Sequence, residues 1–294
     1  MTALPVAHLH VTDVRRITPR MARITFTGDG LDALPTWPDQ QLKLLFPRPG
    51  QRAPRLPEAP GGDGMRWYQA FLALPEDERP VMRSYTVRAH DPQRGRITVD
   101  FVLHDHHGSA NEAGPATRWA ATARVGDTLA RYGPAAEYAR PLPLDDPGLI
   151  LLAGDETALP AIGSLAEALP ATARAVAWIE VADGAEEQPL STRADLAVHW
   201  VHRDRAPGGA DGALLAAVRA ARLPEEPAFA WLAGEAGAVR GLRRHLIAER
   251  GLDARRIDFT GYWRRRLSQD DAPTEEDLAE ARERAAAARV QDKS

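Results

Sequence analysis

Two short segments of this 294-residue chain have the residue types that bind phosphate groups. The first runs from Gly114 to Ala120 and combines small residues, a hydroxyl at Thr117 and the start of a predicted helix. The second runs from Gly154 to Pro160, where an apolar strand ends in a tight turn that opens another helix. Small residues let backbone amides approach an anion, and the N-terminus of a helix favours phosphate. Both segments therefore predict sites for phosphate-bearing ligands.

Further candidate residues lie on a predicted strand and its return strand. Arg83, Ser84, Tyr85 and Thr86 offer a guanidinium, hydroxyls and an aromatic ring, which suit a diphosphate and a flat ring system, although Tyr85 and Thr86 taken alone could equally be ordinary strand residues. A turn at residues 91–95 is predicted to pair this strand with residues 96–104. Because strand side chains alternate between faces, one face of the return strand is predicted core and the other is free to meet a ligand. The core face holds Ile97, Val99, Phe101 and Leu103, and the ligand face holds Thr98, Asp100, Val102 and His104.

The composition excludes several classes of chemistry. The chain has no cysteine, which rules out disulfides, thiolate zinc sites, cysteine-ligated iron–sulfur clusters and a cysteine nucleophile. Redox chemistry would therefore need a bound organic cofactor or a metal without thiolate ligands. Because 37 basic residues nearly balance 41 acidic ones, for a formal net charge of −4, the overall charge does not favour nucleic acid or an anionic membrane as a partner.

The hydropathy pattern predicts no membrane insertion. The longest strongly apolar run, residues 149–153, is far too short to cross a bilayer. Residues 1–20 include Asp13, Arg15, Arg16 and Arg20 and lack the apolar core of a signal peptide. We therefore expect a cytoplasmic protein.

Three histidines, His104, His106 and His107, raise the question of a metal site, because imidazole is a common metal ligand. Their spacing, in a predicted loop beside Gly108, supplies no matching carboxylate. His106 and His107 are therefore interpreted as solvated loop residues, and no metal site is predicted.

The order of predicted elements indicates an N-terminal antiparallel β-barrel followed by a C-terminal α/β domain with a parallel sheet. From residue 11 to about 138, short strands alternate with Pro, Gly and Asp, without a convincing long helix, and residues 52–64 form a long surface loop. Five apolar runs follow a proline-rich linker at residues 141–147 and alternate with predicted helices at 161–169, 213–221 and 238–250. This alternation is typical of a parallel sheet covered on both faces. The five runs are residues 149–153, 176–181, 197–201, 229–233 and 257–262.

These elements predict domains at residues 1–140 and 148–268. A helical tail is predicted over residues 272–294, with Thr274 as a candidate N-cap and Asp277 three residues later. Since all candidate ligand-binding motifs precede residue 266, we expect the tail to pack across the domain junction or against a second subunit.

Taken together, the motifs resemble those of one known family. Arg83-x-Tyr85-Thr86 is similar to the flavin signature of ferredoxin-reductase-like flavoproteins. The set of blocks, in this order, resembles the siderophore-interacting proteins, which are ferric-siderophore reductases, and the resemblance covers nearly the whole chain up to Arg266. The remaining blocks are residues 43–47, Asp100 with His104 and Gly108, and residues 114–120, 154–160 and 261–264.

The resemblance implies that the N-terminal domain binds FAD. Arg83 would hold the pyrophosphate, Tyr85 would pack against the isoalloxazine, and Thr86 would hydrogen-bond near the reactive flavin nitrogen. Asp100, Val102 and His104 would lie along the adenine and ribose. Ala116, Thr117 and Trp119 would close on the phosphates and the ring, and the other candidate contacts are Ser84, Gly114 and Pro115.

The resemblance also implies a nicotinamide coenzyme in the C-terminal domain. Its phosphates would meet the turn formed by Gly154, Asp155, Glu156 and Thr157, and a second turn would place Gly234 and Glu235 beside the nicotinamide. Both turns are also compatible with plain strand-to-helix connections. Arg203 and Arg205 favour the 2′-phosphate of NADPH, whereas Glu180 and Asp183 would favour the free ribose of NADH.

The substrate implied by the resemblance is an anionic ferric siderophore held by Lys43 and Arg264. Lys43 could instead extend to solvent, and the arginines at 264–266 could be a solvated basic end. The third member of this basic group stays open, with Arg131 as a candidate. The chain departs from the family at Arg266, where glycine is usual, and at residues 52–64, which have no counterpart.

The implied reaction passes electrons from NAD(P)H through FAD to the ferric siderophore, which releases Fe(II). A flavin is needed because hydride donors transfer two electrons and Fe(III) accepts one. No acid–base pair or nucleophile is expected. Two alternatives remain open: a flavin reductase with another acceptor, such as a ferredoxin or flavodoxin reductase or a diaphorase, and a siderophore-binding flavoprotein without turnover.

Overall fold

The computed structural model describes residues 6–58, 64–103, 114–134, 142–205, 212–223 and 227–265, together with residue 275. The predicted FAD contact His104, the neighbouring His106 and His107, and the predicted helical tail apart from residue 275 lie outside these residues. The described chain contains a seven-stranded antiparallel sheet followed by a five-stranded parallel sheet. The predicted fold class is therefore confirmed, whereas the domain boundaries stay a prediction.

The first sheet curls around an apolar core. Alternation along its strands buries residues such as Ile24, Leu44 and Phe101 completely. The two ends of the sheet approach each other, because the Val87 amide donates to the Gln40 carbonyl at one edge at 2.8 Å and the next amide, that of Arg88, donates to the Thr98 carbonyl at the other edge at 2.9 Å. Its strands are β1 (Val6–Thr18), β2 (Met21–Gly28), β3 (Gln41–Phe46), β4 (Val81–Thr86), β5 (Ala89–Asp91), β6 (Arg96–Val102) and β7 (Thr128–Tyr132), in the spatial order β4-β3-β7-β1-β2-β6-β5.

The predicted pairing of the strand at residues 83–88 with the strand at residues 96–104 is wrong. β6 pairs with β5, where Asp91 lies opposite Arg96, and β4 pairs with β3 at the far edge of the sheet. β4 ends at Thr86, and the Val87 amide still bonds the Gln40 carbonyl beside β3, whereas the Arg88 amide bonds Thr98 on β6, so the chain changes its partner strand between these two residues. The turn itself lies where predicted, with the Asp91 side chain accepting from the Arg94 amide and Gly95 in the left-handed region at φ 57°.

Two helices accompany this sheet. α1 (Gly64–Leu72) is absent from the elements predicted above, and it packs Trp67 on the sheet with ring centroids 5.1 Å from Tyr132. Trp67 and Phe71 stand four residues apart, which is the helical signal that the preceding proline-rich segment obscured. α2 (Pro115–Thr122) begins at the predicted phosphate-binding segment and packs across β3, β4 and β6.

The second sheet has the doubly wound order β10-β9-β8-β11-β12. Every residue of the central strand β8 is buried, because α3 covers one face and α4 and α5 cover the other. The order reverses between β8 and β11, and the carboxyl ends of strands at such a reversal are where open α/β sheets bind ligands. The elements are β8 (Leu149–Asp155), α3 (Leu159–Ala168), β9 (Arg174–Val181), β10 (Asp195–His202), α4 (Ala213–Ala220), β11 (Pro227–Glu235), α5 (Ala236–Ala248) and β12 (Ile257–Trp263).

The two sheets meet in a mixed apolar and polar contact. Met21 and Val102 of the first sheet lie in the apolar cluster that also contains Ile150 and Trp231 of the second. The buried Glu186 carboxylate accepts from the Thr18 hydroxyl at 2.5 Å and from the Arg20 amide at 2.9 Å. Among the described residues, no helix combines the length and apolar character needed to cross a membrane.

Candidate functional site

The flavin-signature residues lie on β4 beside α2. In the pairing of β4 with β3, Ser84 stands opposite Lys43 and Tyr85 opposite Leu42. Tyr85 packs with its ring centroid 4.5 Å from that of Phe101. α2 packs against the same strand, so the structure brings together the Arg83–Thr86 and Gly114–Trp119 segments predicted to bind one cofactor.

The start of α2 fits a phosphate group. Gly114 is the N-cap residue and has no side chain with which to cap the helix amides, and Pro115 has no amide hydrogen. The Arg118 amide donates back to the Gly114 carbonyl at 3.0 Å, which leaves the amides of Ala116 and Thr117 at the open end of the helix. Trp119 extends from the same helix into the aromatic cluster, with its ring centroid 5.6 Å from that of Phe46.

Asp100 and Val102, predicted along the adenosine half of the flavin, both have protein neighbours. Asp100 is 5% exposed, and its two carboxylate oxygens each accept from the Arg23 guanidinium at 2.7 Å. Val102 packs against the apolar cluster of the second sheet. Protein side chains therefore cover much of the β6 face that was expected to meet a ligand, at Asp100 and Val102. The contact of these two residues with adenosine stays a prediction.

On the side of the second sheet, the carboxyl ends of β8 and β11 pack tightly. A Cβ on Gly154 would lie 2.5 Å from the Ala158 Cβ and 2.6 Å from the Ala233 carbonyl oxygen. Gly234 has a φ of 132°, and a Cβ there would lie 2.6 Å from the Asp155 carboxylate. Both predicted coenzyme turns therefore require glycine, because the two strand ends approach each other too closely for any side chain.

Asp155 is fully enclosed at this point and connects three strands. Its Oδ1 accepts from the Thr157 amide at 2.9 Å and the Thr157 hydroxyl at 2.5 Å. Its Oδ2 accepts from the Glu235 amide and from Trp263 Nε1, both at 2.8 Å. Burial, together with the charge of Glu156, raises the pKa of Asp155 to about 6.

Arg203, predicted to recognise the coenzyme ribose, is held by two carboxylates. Its guanidinium bonds both oxygens of Glu156 at 2.5 and 2.6 Å and Glu180 at 3.3 Å. Glu180 also accepts from the Leu214 amide, and burial raises the pKa of Glu180. A cavity of about 150 Å³ opens beside this group at the junction of the two sheets, and Arg20, Val102, Glu156, Glu186 and Arg203 line it.

The two residues predicted to bind substrate differ in their exposure to solvent. Lys43 is exposed, and its Nζ donates to the Ser84 hydroxyl at 2.6 Å. Neighbouring protein atoms still remove part of the water around the amine, and this partial desolvation, together with the charge of Arg83, lowers the pKa of Lys43. Arg264 is half-buried and directly follows Trp263 at the end of β12.

Arg131, the candidate third basic residue, is excluded from an open pocket. It is 5% exposed and donates to the backbone carbonyls of Gly133 at 2.9 Å and Asp29 at 3.0 Å. Removal of the guanidinium from water lowers its pKa, although the charge of Asp29 acts in the opposite direction. Arg131 therefore stabilises the barrel wall.

Tyr262 is a site residue to which the sequence reasoning gave no role. It comes from β12 of the second sheet and packs against the apolar cluster shared by the two sheets, with its hydroxyl near Thr86 and Gln41 of the first; burial raises its pKa. The flavin-signature strand and the coenzyme-binding sheet therefore meet at Thr86. The available signal was the Gly261-Tyr262-Trp263-Arg264 motif, whose aromatic residues were read as markers of a family and not as contacts.

Comparison with known proteins decides the family. Residues 10–138 match the siderophore-interacting FAD-binding domain, and residues 148–266 match the siderophore-interacting protein family. The chain belongs to the siderophore-interacting proteins. The resemblance inferred from the sequence is confirmed, and so are FAD and a nicotinamide dinucleotide as the cofactors of this family's two-part architecture.

Relatives of this siderophore-interacting protein include two named reductases. It is 30% identical to ferric vibriobactin reductase ViuB of Vibrio cholerae, across 86% of this chain and 88% of that one. It is 29% identical to the NADPH-dependent ferric-chelate reductase of Escherichia coli, across 87% and 91%. The crystal structure of a siderophore utilization protein from T. fusca matches with a TM-score of 0.71 at 35% identity, across 92% of this chain and 97% of that one. These relatives identify the chain as an oxidoreductase.

Proposed function

We propose that this siderophore-interacting protein is an NAD(P)H-dependent reductase of ferric siderophores that uses bound FAD. The observation that carries the proposal is that Tyr262 of β12 packs against the apolar cluster joining the two sheets, near Thr86 of the flavin-signature strand. It brings the end of the parallel sheet, where a dinucleotide binds, to the strand with the flavin signature. Electron transfer from one cofactor to the other requires this proximity.

The two halves of the site would bind different cofactors. Arg83 and the start of α2 would hold the FAD diphosphate, because a guanidinium and free helix amides both stabilise oxyanions. The glycine-lined turns after β8 and β11 would hold the nicotinamide coenzyme. When bound, FAD supplies the conversion of a two-electron hydride donor into one-electron steps that ferric iron accepts.

The substrate would be oriented by positive charge. Lys43 lies on the side of β3 that faces Ser84, and Arg264 lies at the end of β12 next to the residues that reach Thr86. Two cations near the cofactor would attract an anionic ferric complex and hold its iron within transfer distance. The cytoplasmic location and the absence of nucleic-acid and membrane partners stay predictions.

Two measurements test the proposal. Stopped-flow mixing of the FAD-loaded protein with NADH and with NADPH should bleach the flavin absorbance, which a binding protein without turnover would not show. Trapping of Fe(II) with a chromogenic chelator should then detect turnover on a panel of ferric hydroxamates and catecholates. If the flavin is reduced but no ferric siderophore yields Fe(II), the protein is a flavin reductase with another acceptor.

A further inference from the structure

The pairing of β11 with β12 is irregular where the site lies. Gly234 stands opposite Gly261, but the next residue, Glu235, stands opposite Trp263, so Tyr262 is an extra residue on β12. Such a β-bulge re-aims side chains and leaves backbone groups without their usual ladder partners. The bulged residue, Tyr262, packs against the apolar cluster that joins the two sheets and lies near Thr86 of the first sheet.

Asp155 lies against this bulge and bonds both strands that form it. Its Oδ2 accepts from the Glu235 amide on β11 and from the Trp263 indole on β12, both at 2.8 Å. Gly234, at a φ of 132°, leaves the space that the carboxylate fills, since a Cβ there would approach Oδ2 to 2.6 Å. The backbone of β11 and the side chain of Asp155 therefore fit each other at this place.

We propose that Asp155 is a positioning residue that holds the β11–β12 bulge through Trp263 and thereby sets the positions of Tyr262 beside the flavin strand and of Arg264 beside the substrate. Trp263 is the covalent neighbour of both residues, so a displacement of its indole is transmitted to them directly. The inference rests on the proposed function for its substrate, although the hydrogen bond at its centre can be tested without turnover.

The geometry predicts different effects for substitutions of Asp155 and of Trp263. Asp155 bonds the coenzyme turn through Oδ1 and the bulge through Oδ2, whereas Trp263 belongs only to the bulge. Trp263→Phe should therefore raise KM for an anionic ferric tris-catecholate about tenfold and leave FAD content and KM for NAD(P)H unchanged. A tenfold change corresponds to the lower end of the range for one hydrogen bond to a charged group.

Asp155→Ala should reproduce that rise in KM, because the Trp263 indole would lose its acceptor. The double variant should then show no further rise in KM, since both changes break the same bond. Asp146→Ala is the matched control: Asp146 lies just before the opposite end of β8 and also accepts a backbone amide, that of Gly148 at 2.9 Å. Its KM should equal that of the wild-type protein.

A spectroscopic measurement separates this inference from the proposed function. The chain has 7 tryptophans, and Trp263→Phe assigns one indole N–H signal in a ¹H–¹⁵N spectrum. In Asp155→Ala that signal should move upfield, while the Trp178 indole signal, assigned with Trp178→Phe, stays in place. An unmoved Trp263 signal, a wild-type KM in Trp263→Phe, or multiplicative effects in the double variant would each overturn the inference. If the wild-type protein reduces no ferric siderophore, the proposed function fails and the indole signal alone decides the role of Asp155.

Discussion

Trp231 donates its indole N–H to the Asp39 carboxylate at 2.9 Å, which links the second sheet to the first inside their contact. Trp231 is 2% exposed and Asp39 is 8% exposed, so this bond lies out of water. Asp39 adopts a φ of 61°, in the left-handed region that side chains other than Asn and Asp rarely occupy. The bond therefore holds a strained loop residue of one sheet against the core of the other.

Replacing Trp231 by Phe should destabilise the protein by about 1–3 kcal/mol, because Asp39 would remain buried without this donor. The measurement is the free energy of unfolding from urea denaturation. Trp178→Phe removes a similar ring from the neighbouring region of the sheet and should cost less. Asp39→Asn should also lower the free energy of unfolding less than Asp39→Ala does, because Asn tolerates the same backbone conformation and keeps an acceptor oxygen. Equal stability of Trp231→Phe and the wild-type protein would contradict the linking role.

Arg83 should contribute strongly to flavin affinity. Arg83→Ala is expected to weaken FAD binding by about 1.5–3 kcal/mol, the usual value of hydrogen bonds to a charged group. Titration of the apoprotein with FAD, followed by flavin fluorescence, gives the Kd. Arg94→Ala on the exposed turn before β6 is the control and should bind FAD with wild-type affinity. Binding of FMN but not FAD would argue against the diphosphate role of Arg83.

Lys43 and Arg264 should affect the substrate and not the flavin. Lys43→Ala and Arg264→Ala should each raise KM for an anionic ferric siderophore, with an effect that shrinks at high salt because ions screen the attraction. The rate of flavin reduction by NAD(P)H should change little. Steady-state iron reduction at two ionic strengths measures the first effect and flavin bleaching the second. Wild-type KM values for both variants at low salt would place the basic pocket elsewhere.

The choice of coenzyme should depend on Glu156. A 2′-phosphate would have to compete with the Glu156 carboxylate for Arg203, which already bonds both of its oxygens. Glu156→Gln is therefore expected to raise the ratio of kcat/KM for NADPH to that for NADH, and Arg203→Ala should lower that ratio. Glu187→Gln, which affects the neighbouring contact with His202, is the control. A ratio that is the same in all three variants would remove Arg203 from coenzyme recognition.

The stability contribution of Asp155 should depend on pH. Its folded-state pKa is raised by burial from 3.8 to about 6, so the folded protein binds this proton more tightly than the unfolded chain does. Stability from this group is therefore present below about pH 4 and is lost as the pH rises to about 6, by about 3 kcal/mol in total. The difference in unfolding free energy between the wild-type protein and Asp155→Asn, measured from pH 4 to pH 7, should follow this curve. A difference independent of pH would contradict the raised pKa.

The sequence by itself determined the strands of the second sheet and the helices that cover it. Apolar runs and helical periodicity predicted β8 to β12 and α3 to α5 to within a few residues, because a strand buried on both faces must be apolar throughout. The flavin signature, the phosphate-binding segments and the family also followed from local residue types and their order. These properties depend on residues that are close together in the chain, so they can be inferred without knowledge of the fold.

Only the tertiary structure decided which distant residues meet. The local pattern around residue 88 favoured a simple hairpin, but closure of the barrel pairs β4 with β3. The sheet register places Arg23 of β2 against Asp100, and the barrel wall encloses Arg131, which the sequence left as a candidate for an open pocket. The bond from Asp155 to Trp263 joins residues 108 positions apart. Sequence periodicity shows which face a residue occupies but not which strand lies beside it, since that depends on how the whole sheet folds and packs.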